Sequence, residues 1–234
     1  MSTFNIYVAS AHRADRTNVH NLLEYCTFVV RKSEEQLYRD AGIESIWAIK
    51  DSEIDSFSKV HNYLIENAPE DIICVLDDDM AHFRYSLDHN VPIESKEVAT
   101  REIERLAQIQ WDLGIGLLGT RITASPKNYN AEFHFSGMIG PIRIYNRAIL
   151  KARYEHIRFF SDTDFVLQEL LKNRIILRPD YFASDAKLET NKGGMNIRRT
   201  RDIQLDLAKQ MSEKWGKYFS YRKENNTSKI IVKR

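Results

Sequence analysis

The first half of the chain alternates short apolar runs with segments in which apolar residues recur every three or four positions. The apolar runs, predicted as strands, are FNIYVA (4–9), TFVVR (27–31), SIWAI (45–49) and DIICVL (71–76). The intervening segments, predicted as helices, are 18–25, 33–42 and 56–68. This alternation predicts a mostly parallel sheet with helices on both faces. Such sheets bind ligands at the carboxyl ends of their strands, so the residues that follow each strand are the candidates for function.

The second half mixes helices and strands. The elements predicted there are a helix over 95–114, a strand over 115–120, a strand pair over 133–146 bent at Gly137 and Gly140, a helix over 161–173, a strand over 174–179 and a basic helix over 202–219. No internal repeat and no linker rich in glycine, serine or proline interrupts the 234 residues. We therefore expect an α/β fold in one domain, with a mixed α+β second half and a basic C-terminal helix.

Composition narrows the class of protein. Hydrophobic residues make up 43% of the chain and charged residues 29%, as in an ordinary folded domain. No apolar stretch is long enough for an ordinary transmembrane helix, so we expect no membrane partner. Both cysteines lie inside apolar runs and no basic leader precedes the first strand, which predicts a cytoplasmic protein.

The net charge of +1 conceals an uneven distribution. Residues 1–186 contain 21 basic and 28 acidic residues, a net of −7, whereas residues 187–234 contain 13 basic and 5 acidic residues, a net of +8. A basic tail beside a mildly acidic body predicts an anionic partner, for which nucleic acid and a phosphorylated ligand both qualify. A solvated basic helix with a frayed end is the alternative.

Three adjacent aspartates, Asp77, Asp78 and Asp79, close the fourth predicted strand. Their carboxylates repel one another, and burying them without a counter-charge would be costly. A divalent cation removes that cost, and hard oxygen ligands beside a bound diphosphate suit Mg²⁺ or Mn²⁺. Asp77 and Asp79 point to the same side of an extended chain, so we assign them to the metal and Asp78 to the opposite side. A solvated acidic turn is the alternative.

The loop ASAHRADR (9–16) follows the first predicted strand and is rich in hydrogen-bond donors. Ser10, His12, Arg13 and Arg16 supply a hydroxyl, an imidazole and two guanidinium groups, which can hold a base, a ribose or a phosphate. An ordinary polar surface turn is the alternative. The chain has neither a Walker A loop nor a GxGxxG motif after a strand, which argues against ATPases and nicotinamide-binding enzymes.

Two further positions carry candidate chemistry. Asp162 and Asp164 lie at the predicted start of a helix, where one carboxylate can cap the helix while the other acts as general base on an acceptor hydroxyl. Lys59, on the helix before the acidic strand, is within reach of a phosphate at the strand end. Helix caps and an exposed lysine are the alternatives.

The basic tail suggests two roles. Two adjacent glycines among basic residues predict a lid over a diphosphate, with a disordered connector as the alternative. The residues concerned are Lys192, Gly193, Gly194, Asn196, Arg198 and Arg199. Trp215, Tyr218 and Tyr221, interleaved with basic residues, predict a surface that runs along a DNA backbone. The candidate DNA contacts are Lys192, Arg198, Arg199 and Arg201.

Together these features resemble the GT-A class of nucleotide-sugar glycosyltransferases. The resemblance covers most of residues 4–185 and depends on the ordered set of a donor-rich first loop, an Asp-x-Asp after a mid-chain strand and a later helix start with aspartates. Within the class, the LDDDM, SDTDF and GGMN segments are most similar to the TET-associated glycosyltransferases. Those are mainly phage enzymes that add sugars to hydroxymethylated pyrimidines in DNA.

The resemblance implies how a nucleotide-sugar donor is held. Asp79 would bind Mn²⁺ or Mg²⁺ directly, while Asp77 would assist the metal or contact the ribose. Asp78, Lys59, the donors of the loop over 10–16 and the glycine segment over 193–196 would contact the donor.

The resemblance also implies a base and leaves one metal ligand open. Asp164, with Asp162 as the alternative, would be the base or the acceptor contact. GT-A enzymes often add a histidine ligand near the C-terminus, but no histidine follows His156. The third ligand would then be water, an earlier histidine such as His134, or Asp185.

A division of the chain and a function follow from the resemblance. Residues 1–90 would bind the nucleotide sugar, 91–186 the acceptor, and 187–234 would form a basic lid and the C-terminal helix. The enzyme would transfer a sugar from a UDP-sugar to a 5-hydroxymethylpyrimidine in double-stranded phage DNA, in the cytoplasm of the host cell. The rivals are a GT-A transferase acting on a glycan, lipid or protein, a nucleotidyltransferase, and a nucleic-acid-binding module whose acidic triplet is structural.

Overall fold

The computed structural model describes residues 3–121, 126–155, 159–186, 201–224 and 227–232. The strands are β1 (Phe4–Ala9), β2 (Thr27–Arg31), β3 (Ile46–Ile49), β4 (Ile72–Asp77), β5 (Met80–Ser86), β6 (Asn90–Ile93), β7 (Leu117–Gly119), β8 (Phe133–His134), β9 (Ile142–Asn146), β10 (Arg178–Pro179), β11 (Phe182–Ala186), β12 (Phe219–Arg222) and β13 (Thr227–Ile230). The α-helices are α1 (Glu35–Asp40), α2 (Phe57–Asn67), α3 (Lys96–Asp112), α4 (Ser161–Lys172) and α5 (Arg201–Trp215).

The central sheet has six strands in the order β3-β2-β1-β4-β9-β7. The first four are parallel neighbours, and β9 runs antiparallel between β4 and β7. The α/β class and the mostly parallel sheet expected from the sequence are therefore confirmed. Ala9 pairs with Asp77, so β1 and β4 end side by side at one edge of the sheet.

Alternating side chains on the inner strands supply two apolar layers, one on each face of the sheet. On β1, Ile6 and Val8 pack in the layer that contains α3, while Tyr7 packs on the opposite face with α2 and α4. On β4, Cys74 belongs to the first layer and Val75 to the second. The uninterrupted apolar run of β4 thus reflects a strand covered on both faces, as the sequence predicted.

A second sheet, of order β11-β5-β6, begins directly after the aspartate triplet. The sequence did not predict β5, because charged and polar residues interrupt the apolar positions of MAHFRYS. Phe83 of β5 and Phe182 of β11 stack with their ring centroids 5.7 Å apart, and both are buried against the layer that contains α3. The apolar core on the α3 face of the central sheet therefore continues into this second sheet, at the edge where the aspartate triplet lies.

Three expected elements differ from the structure. The helix expected over 18–25 is a 3₁₀ turn over Val19–Asn21. The strands expected to pair within 133–146 belong to different sheets, since β8 pairs with β10 and β9 joins the central sheet. The strand expected over 174–179 is limited to the two residues of β10. In each case tertiary partners that are distant in the sequence decide the outcome.

The C-terminal part of the chain packs against α4. Ala208 and Met211 of α5 and Phe219 of β12 form an apolar cluster with Phe160. The helix expected over 202–219 is present as α5, but it ends at Trp215, and its three basic residues are matched by three acidic ones, so it is not a basic helix. Residues 187–200 lie outside the described residues. In the described part of the chain, no helix combines the length and the apolar character that crossing a membrane requires.

Substitution of Leu64 tests the packing of α2 against the central sheet. Its side chain is fully buried there, whereas Leu37 on α1 is 60% exposed. We expect Leu64→Ala to lower the free energy of unfolding by about 2–5 kcal/mol, because it removes buried methyl groups and leaves a cavity. Leu37→Ala should change it by less than about 0.5 kcal/mol. Urea denaturation measures both values, and equal effects would contradict the described packing.

Candidate active site

The motifs that follow β1 and β4 meet at one edge of the central sheet. β4 ends at Asp77, and Asp78 and Asp79 form the turn that leads into β5. Because Ala9 lies beside Asp77, the loop over 10–16 faces the triplet. Parallel strand pairing thus joins two motifs that lie about 65 residues apart in the sequence.

Asp78 fastens this loop to the end of β4. Its Oδ2 accepts a hydrogen bond of 2.6 Å from Ser10 Oγ, and its Oδ1 accepts one of 2.6 Å from Arg13 Nη1. Ser10 Oγ also lies 2.6 Å from the hydroxyl of Tyr38. Burial raises the pKa of Asp78, and the hydrogen bond from Ser10 and the charge of Arg13 oppose that rise. The contacts of Ser10 and Arg13 therefore brace the loop.

His12 and Arg16 lie on the outer part of the loop. His12 has a left-handed backbone conformation (φ +58°), and its N–H donates to the buried carboxylate of Glu34 at 2.6 Å. Its imidazole lies 2.8 Å from Arg31 and is largely exposed. Arg16 donates to the backbone carbonyl of His12 at 3.2 Å, and its side chain is 40% exposed. Both side chains are therefore accessible to a ligand.

Lys59 is engaged locally on α2. Its ammonium group pairs with Asp55 at 2.6 Å and donates to the carbonyl of Ser52 at 3.2 Å. No contact among the described residues joins Lys59 to the aspartate triplet. These contacts favour a local ion pair over the phosphate contact that the sequence suggested for Lys59.

A buried arginine links Asp77 to the start of α4. Arg143, on β9, is 3% exposed; its Nη1 lies 2.9 Å from Asp77 Oδ1 and its Nε lies 3.3 Å from Asp162 Oδ1. The guanidinium carbon lies 5.3 Å from the ring centroid of Phe57. Burial alone would lower the pKa of Arg143, but the charges of Asp162 and Asp77 outweigh it and raise that pKa well above its ordinary value. Arg143 therefore stays charged and holds two carboxylates at one site.

Asp162 has the environment of a candidate base. Its Oδ1 accepts a hydrogen bond of 3.3 Å from the Tyr154 hydroxyl, and 32% of its side-chain surface is exposed. Burial of the carboxyl group raises its pKa, the charge of Arg143 opposes that rise and the charge of Asp77 adds to it. Phe160 occupies the N-cap position of α4 with no side-chain cap bond, so Asp162 is not a cap. Asp162 is thus an accessible carboxylate with a raised pKa.

Asp164, two residues after Asp162, is fully buried under α5. Its Oδ1 lies 2.7 Å from Lys214 Nζ and accepts a hydrogen bond of 2.8 Å from Trp215 Nε1. Its Oδ2 accepts one of 2.8 Å from Gln168. The sequence suggested Asp164 as the base with Asp162 as the alternative. The structure favours the reverse order, because α5 encloses Asp164.

Asp77 and Asp79 suit a divalent cation as two of its ligands. Burial raises the pKa of Asp79, and repulsion by the charge of Asp77 adds to that rise. Arg143 contacts Oδ1 of Asp77, and Arg13 contacts Oδ2 of Asp79 at 3.3 Å. Within the described ranges, no group of three or more His, Cys, Asp or Glu is placed to hold a metal alone. The pair therefore suits Mg²⁺ or Mn²⁺ that takes its other oxygens from water and a ligand phosphate.

The protein residues considered as a third metal ligand have other partners. Asp185 lies 3.0 Å from His82, across the pairing of β5 with β11. His134 lies 3.2 Å from Asp180. His156 lies outside the described residues. Water and ligand oxygens are therefore the simplest candidates for the remaining ligands of the metal ion.

Most residues expected to cover a diphosphate or contact DNA lie outside the described part of the chain. These are Lys192, Gly193, Gly194, Asn196, Arg198 and Arg199. Arg201, the first residue of α5, is exposed. The rings of Trp215, Tyr218 and Tyr221 pack, partly buried, against the C-terminal apolar cluster. These rings therefore help to hold α5 and β12 in place, and the aromatic surface along DNA stays a prediction.

Sequence pattern did not identify several residues that organise the site, among them Arg143, Tyr154 and Glu34. A signal for Arg143 was present, because a single charge within the apolar run PIRIYN implies a buried partner. Glu34 and Tyr154 carry no such signal, since loop geometry alone brings them to the His12 backbone and to Asp162.

The pH dependence of stability tests the role of Arg143. We expect Arg143→Met to lower the free energy of unfolding at pH 7 by about 3 kcal/mol, because Asp77 and Asp162 lose their shared counter-charge. The pKa of Asp162 rises further in the variant, because the charge of Arg143 no longer opposes its rise. A raised carboxyl pKa costs stability above that pKa but not below the unfolded-state value. The loss should therefore shrink as the pH falls toward 4.

Guanidinium denaturation at pH 7 and at acid pH measures this difference. Arg101→Met, which removes a 72% exposed arginine from α3, is the control and should show a small loss at both pH values. A loss for Arg143→Met that is as large in acid as at neutral pH would contradict the assignment.

Comparison of the sequence with protein-family models and with curated proteins finds no match. Among solved structures, the TarS 1–349 fragment of S. aureus is similar over 90% of this chain, at 11% identity and a TM-score of 0.48. The similarity spans 65% of the TarS chain, less than two thirds of it.

Two further solved structures are similar to this chain. A mycobacterial protein is similar over 90% of this chain and 74% of its own, at 8% identity and a TM-score of 0.53. Glucosyl-3-phosphoglycerate synthase from Mycobacterium tuberculosis, solved with Mn²⁺, UDP and glucosyl-3-phosphoglycerate, is similar over 99% of this chain and 88% of its own, at 9% identity and a TM-score of 0.42. At these identities the likeness concerns the fold alone, which is the α/β fold described above.

Proposed function

We propose that the chain is a metal-dependent glycosyltransferase that moves a sugar from a nucleotide diphosphate sugar to a hydroxyl acceptor. One observation carries the proposal: Arg143 joins Asp77, at the end of β4, to Asp162, at the start of α4, beside the donor-rich loop over 10–16. A candidate cation site, a candidate nucleotide loop and an accessible base thus share the sheet edge at which α/β proteins bind ligands. The resemblance of the LDDDM and SDTDF segments to GT-A enzymes supports the proposal and makes UDP-sugars the first donors to test.

The donor would lie along the loop after β1. The bonds of Ser10 and Arg13 to Asp78 hold this loop in one conformation, which lowers the entropic cost of binding. The accessible imidazole of His12 and the guanidinium of Arg16 would contact the base, the ribose or a phosphate. The segment 192–199 is the proposed lid over the diphosphate.

Asp77 and Asp79 would hold Mn²⁺ or Mg²⁺ against the donor diphosphate. When bound, the cation neutralises the charge of the diphosphate, including the charge that builds up as the sugar leaves. Arg143 and Arg13 keep the two carboxylates in place through their contacts at 2.9 and 3.3 Å.

Asp162 would take the proton of the acceptor hydroxyl. The acceptor oxygen bonds to the anomeric carbon, and the bond from that carbon to the diphosphate oxygen breaks. The electron pair leaves with the nucleoside diphosphate, and the hydroxyl proton moves to Asp162. The raised pKa of Asp162 makes it a stronger base than an ordinary aspartate, while Tyr154 and Arg143 orient its carboxylate.

For the acceptor we propose a 5-hydroxymethylpyrimidine in double-stranded DNA, as in the TET-associated enzymes that the sequence resembles. The net charge of +8 on residues 187–234 and the exposed Arg201 support this choice. A glycan, lipid or protein acceptor is the second candidate, because the rings of α5 and β12 are used for packing. Steep salt dependence of binding favours DNA, and a flat response favours the second candidate.

A panel of nucleotide sugars tests the donor part of the proposal. We expect a UDP-sugar to raise Tm only when Mn²⁺ or Mg²⁺ is present. Mass spectrometry of hydroxymethylated DNA, incubated with that donor and the protein, then tests the acceptor part. If no nucleotide sugar raises Tm with either metal, the proposal fails.

Asp79→Asn tests the cation site. We expect the variant to bind Mn²⁺ at least about tenfold more weakly in the presence of UDP, because a neutral amide replaces a charged oxygen ligand. Asp88→Asn removes the same charge from the exposed turn between β5 and β6 and should bind as the unchanged protein does. An electron paramagnetic resonance titration measures free Mn²⁺ in each case. Equal affinities in two folded variants would show that Asp79 is not a ligand.

Asp162→Asn tests the base. We expect it to lower kcat by about 10² to 10⁴-fold while donor binding is unchanged. In the unchanged protein only the ionised carboxyl accepts a proton, so kcat should fall as the pH drops through a pKa above the ordinary aspartate value of about 3.9.

Asp164→Asn is the matched comparison. This variant should have a lower Tm, because the ion pair with Lys214 is lost. The pH profile of its kcat should be unchanged. If Asp164→Asn abolishes transfer in a folded protein and Asp162→Asn does not, Asp162 is not the base.

A further inference from the structure

A second charged cluster surrounds Asp180, outside the site described above. This carboxylate is 2% exposed; its Oδ1 lies 2.8 Å from Arg178 Nε, and its Oδ2 lies 3.1 Å from Arg121 Nη1. His134 Nε2 lies 3.2 Å from Oδ2 as well. One buried carboxylate thus orients two guanidinium groups and an imidazole, a set of donors that suits an oxyanion.

The cluster lies at the same edge of the central sheet as Asp77. Leu177, directly before Arg178, forms a parallel bridge with Leu118 of β7, and β7 runs in the same direction as β4. Arg178 therefore emerges at the carboxyl end of the sheet. Three strand spacings separate Leu177 from β4, a backbone distance of about 14 Å across the sheet.

A glycine lets the guanidinium of Arg178 approach the loop that leads to β9. A Cβ at Gly137 would clash with Arg178 Nη1, and the backbone there (φ +115°) also favours glycine. The next residue, Met138, accepts a contact of 3.5 Å from the hydroxyl of Thr163, which follows Asp162. Arg178 is thus connected to the candidate base, Asp162, through Gly137, Met138 and Thr163.

Arg178 has a donor to spare for a ligand. Its Nε and Nη2 donate hydrogen bonds to Asp180, at 2.8 and 3.3 Å. Within the described residues, Nη1 donates none. The nearby Glu132 is exposed, and its backbone carbonyl accepts from the N–H of Asp180 at 2.8 Å. The guanidinium of Arg178 therefore offers an N–H group to an anionic ligand.

We propose that Arg178, with Arg121 beside it, binds a phosphate group of the acceptor and so presents the acceptor hydroxyl to Asp162. This inference rests on the proposed function and narrows its substrate class to acceptors that carry a phosphate. A free phosphomonoester and the phosphodiester backbone of DNA share that chemistry. A neutral glycan lacks it.

Calorimetry on the full chain tests the inference, with UDP and Mg²⁺ present so that the donor site is filled. The probes are inorganic phosphate and a 12-base-pair DNA duplex. We expect Arg178→Gln to weaken binding of at least one probe about tenfold, the effect of losing a charged hydrogen bond. Arg174→Gln removes the same charge from an exposed position four residues earlier and should leave both affinities unchanged. Weaker phosphate binding alone identifies a free phosphomonoester, and weaker duplex binding identifies a DNA strand.

Binding of UDP in the same variants separates this inference from the proposed function. If UDP binds and both probes bind Arg178→Gln as tightly as Arg174→Gln, the phosphate site is refuted while the donor site stands. If the unchanged protein binds neither probe, the phosphate site is refuted as well. If UDP with Mg²⁺ fails to bind the unchanged protein, the proposed function itself is refuted. Should Arg178→Gln not fold, Arg121→Gln replaces it, with the same expected and refuting results.

Discussion

The candidate site depends on a buried positive charge. Arg143 lies within the apolar strand β9, where an unpaired guanidinium would be costly, and it is balanced by Asp77 on one side and Asp162 on the other. Because β9 is fixed between β4 and β7, the arginine sets the separation of the two carboxylates. A sheet strand thus positions the proposed cation ligand, Asp77, against the proposed base, Asp162, which belongs to a different element.

Two other aspartates hold the surroundings of this pair. Asp78 ties the loop after β1 to the end of β4 through Ser10 and Arg13. Asp164 ties α5 to α4 through Lys214 and Trp215. In both cases a carboxylate one or two residues from a candidate functional aspartate has a bracing role. The aspartates of the two motifs therefore divide into candidate functional residues and residues that hold the surrounding elements together.

The sequence predicted the features that depend on local pattern. The apolar run of β4, its acidic end and the donor-rich loop after β1 are all local, and parallel pairing then brings them together. The role of Arg143 depends on partners 66 and 19 residues away, so no local pattern identifies them. The order of Asp162 and Asp164 was reversed because the docking of α5 buries Asp164, and periodicity along α4 does not contain that information.

A crystal structure of the chain soaked with UDP and Mn²⁺ tests the central claim most directly. The expected result is a metal ion bound by Asp77 and Asp79, with the diphosphate between that ion and the loop over 10–16. The Asp162 carboxylate should lie next to the diphosphate, where it can accept a hydrogen bond from an acceptor hydroxyl. A nucleotide bound at another surface, or a metal ion that avoids both aspartates, would contradict the claim.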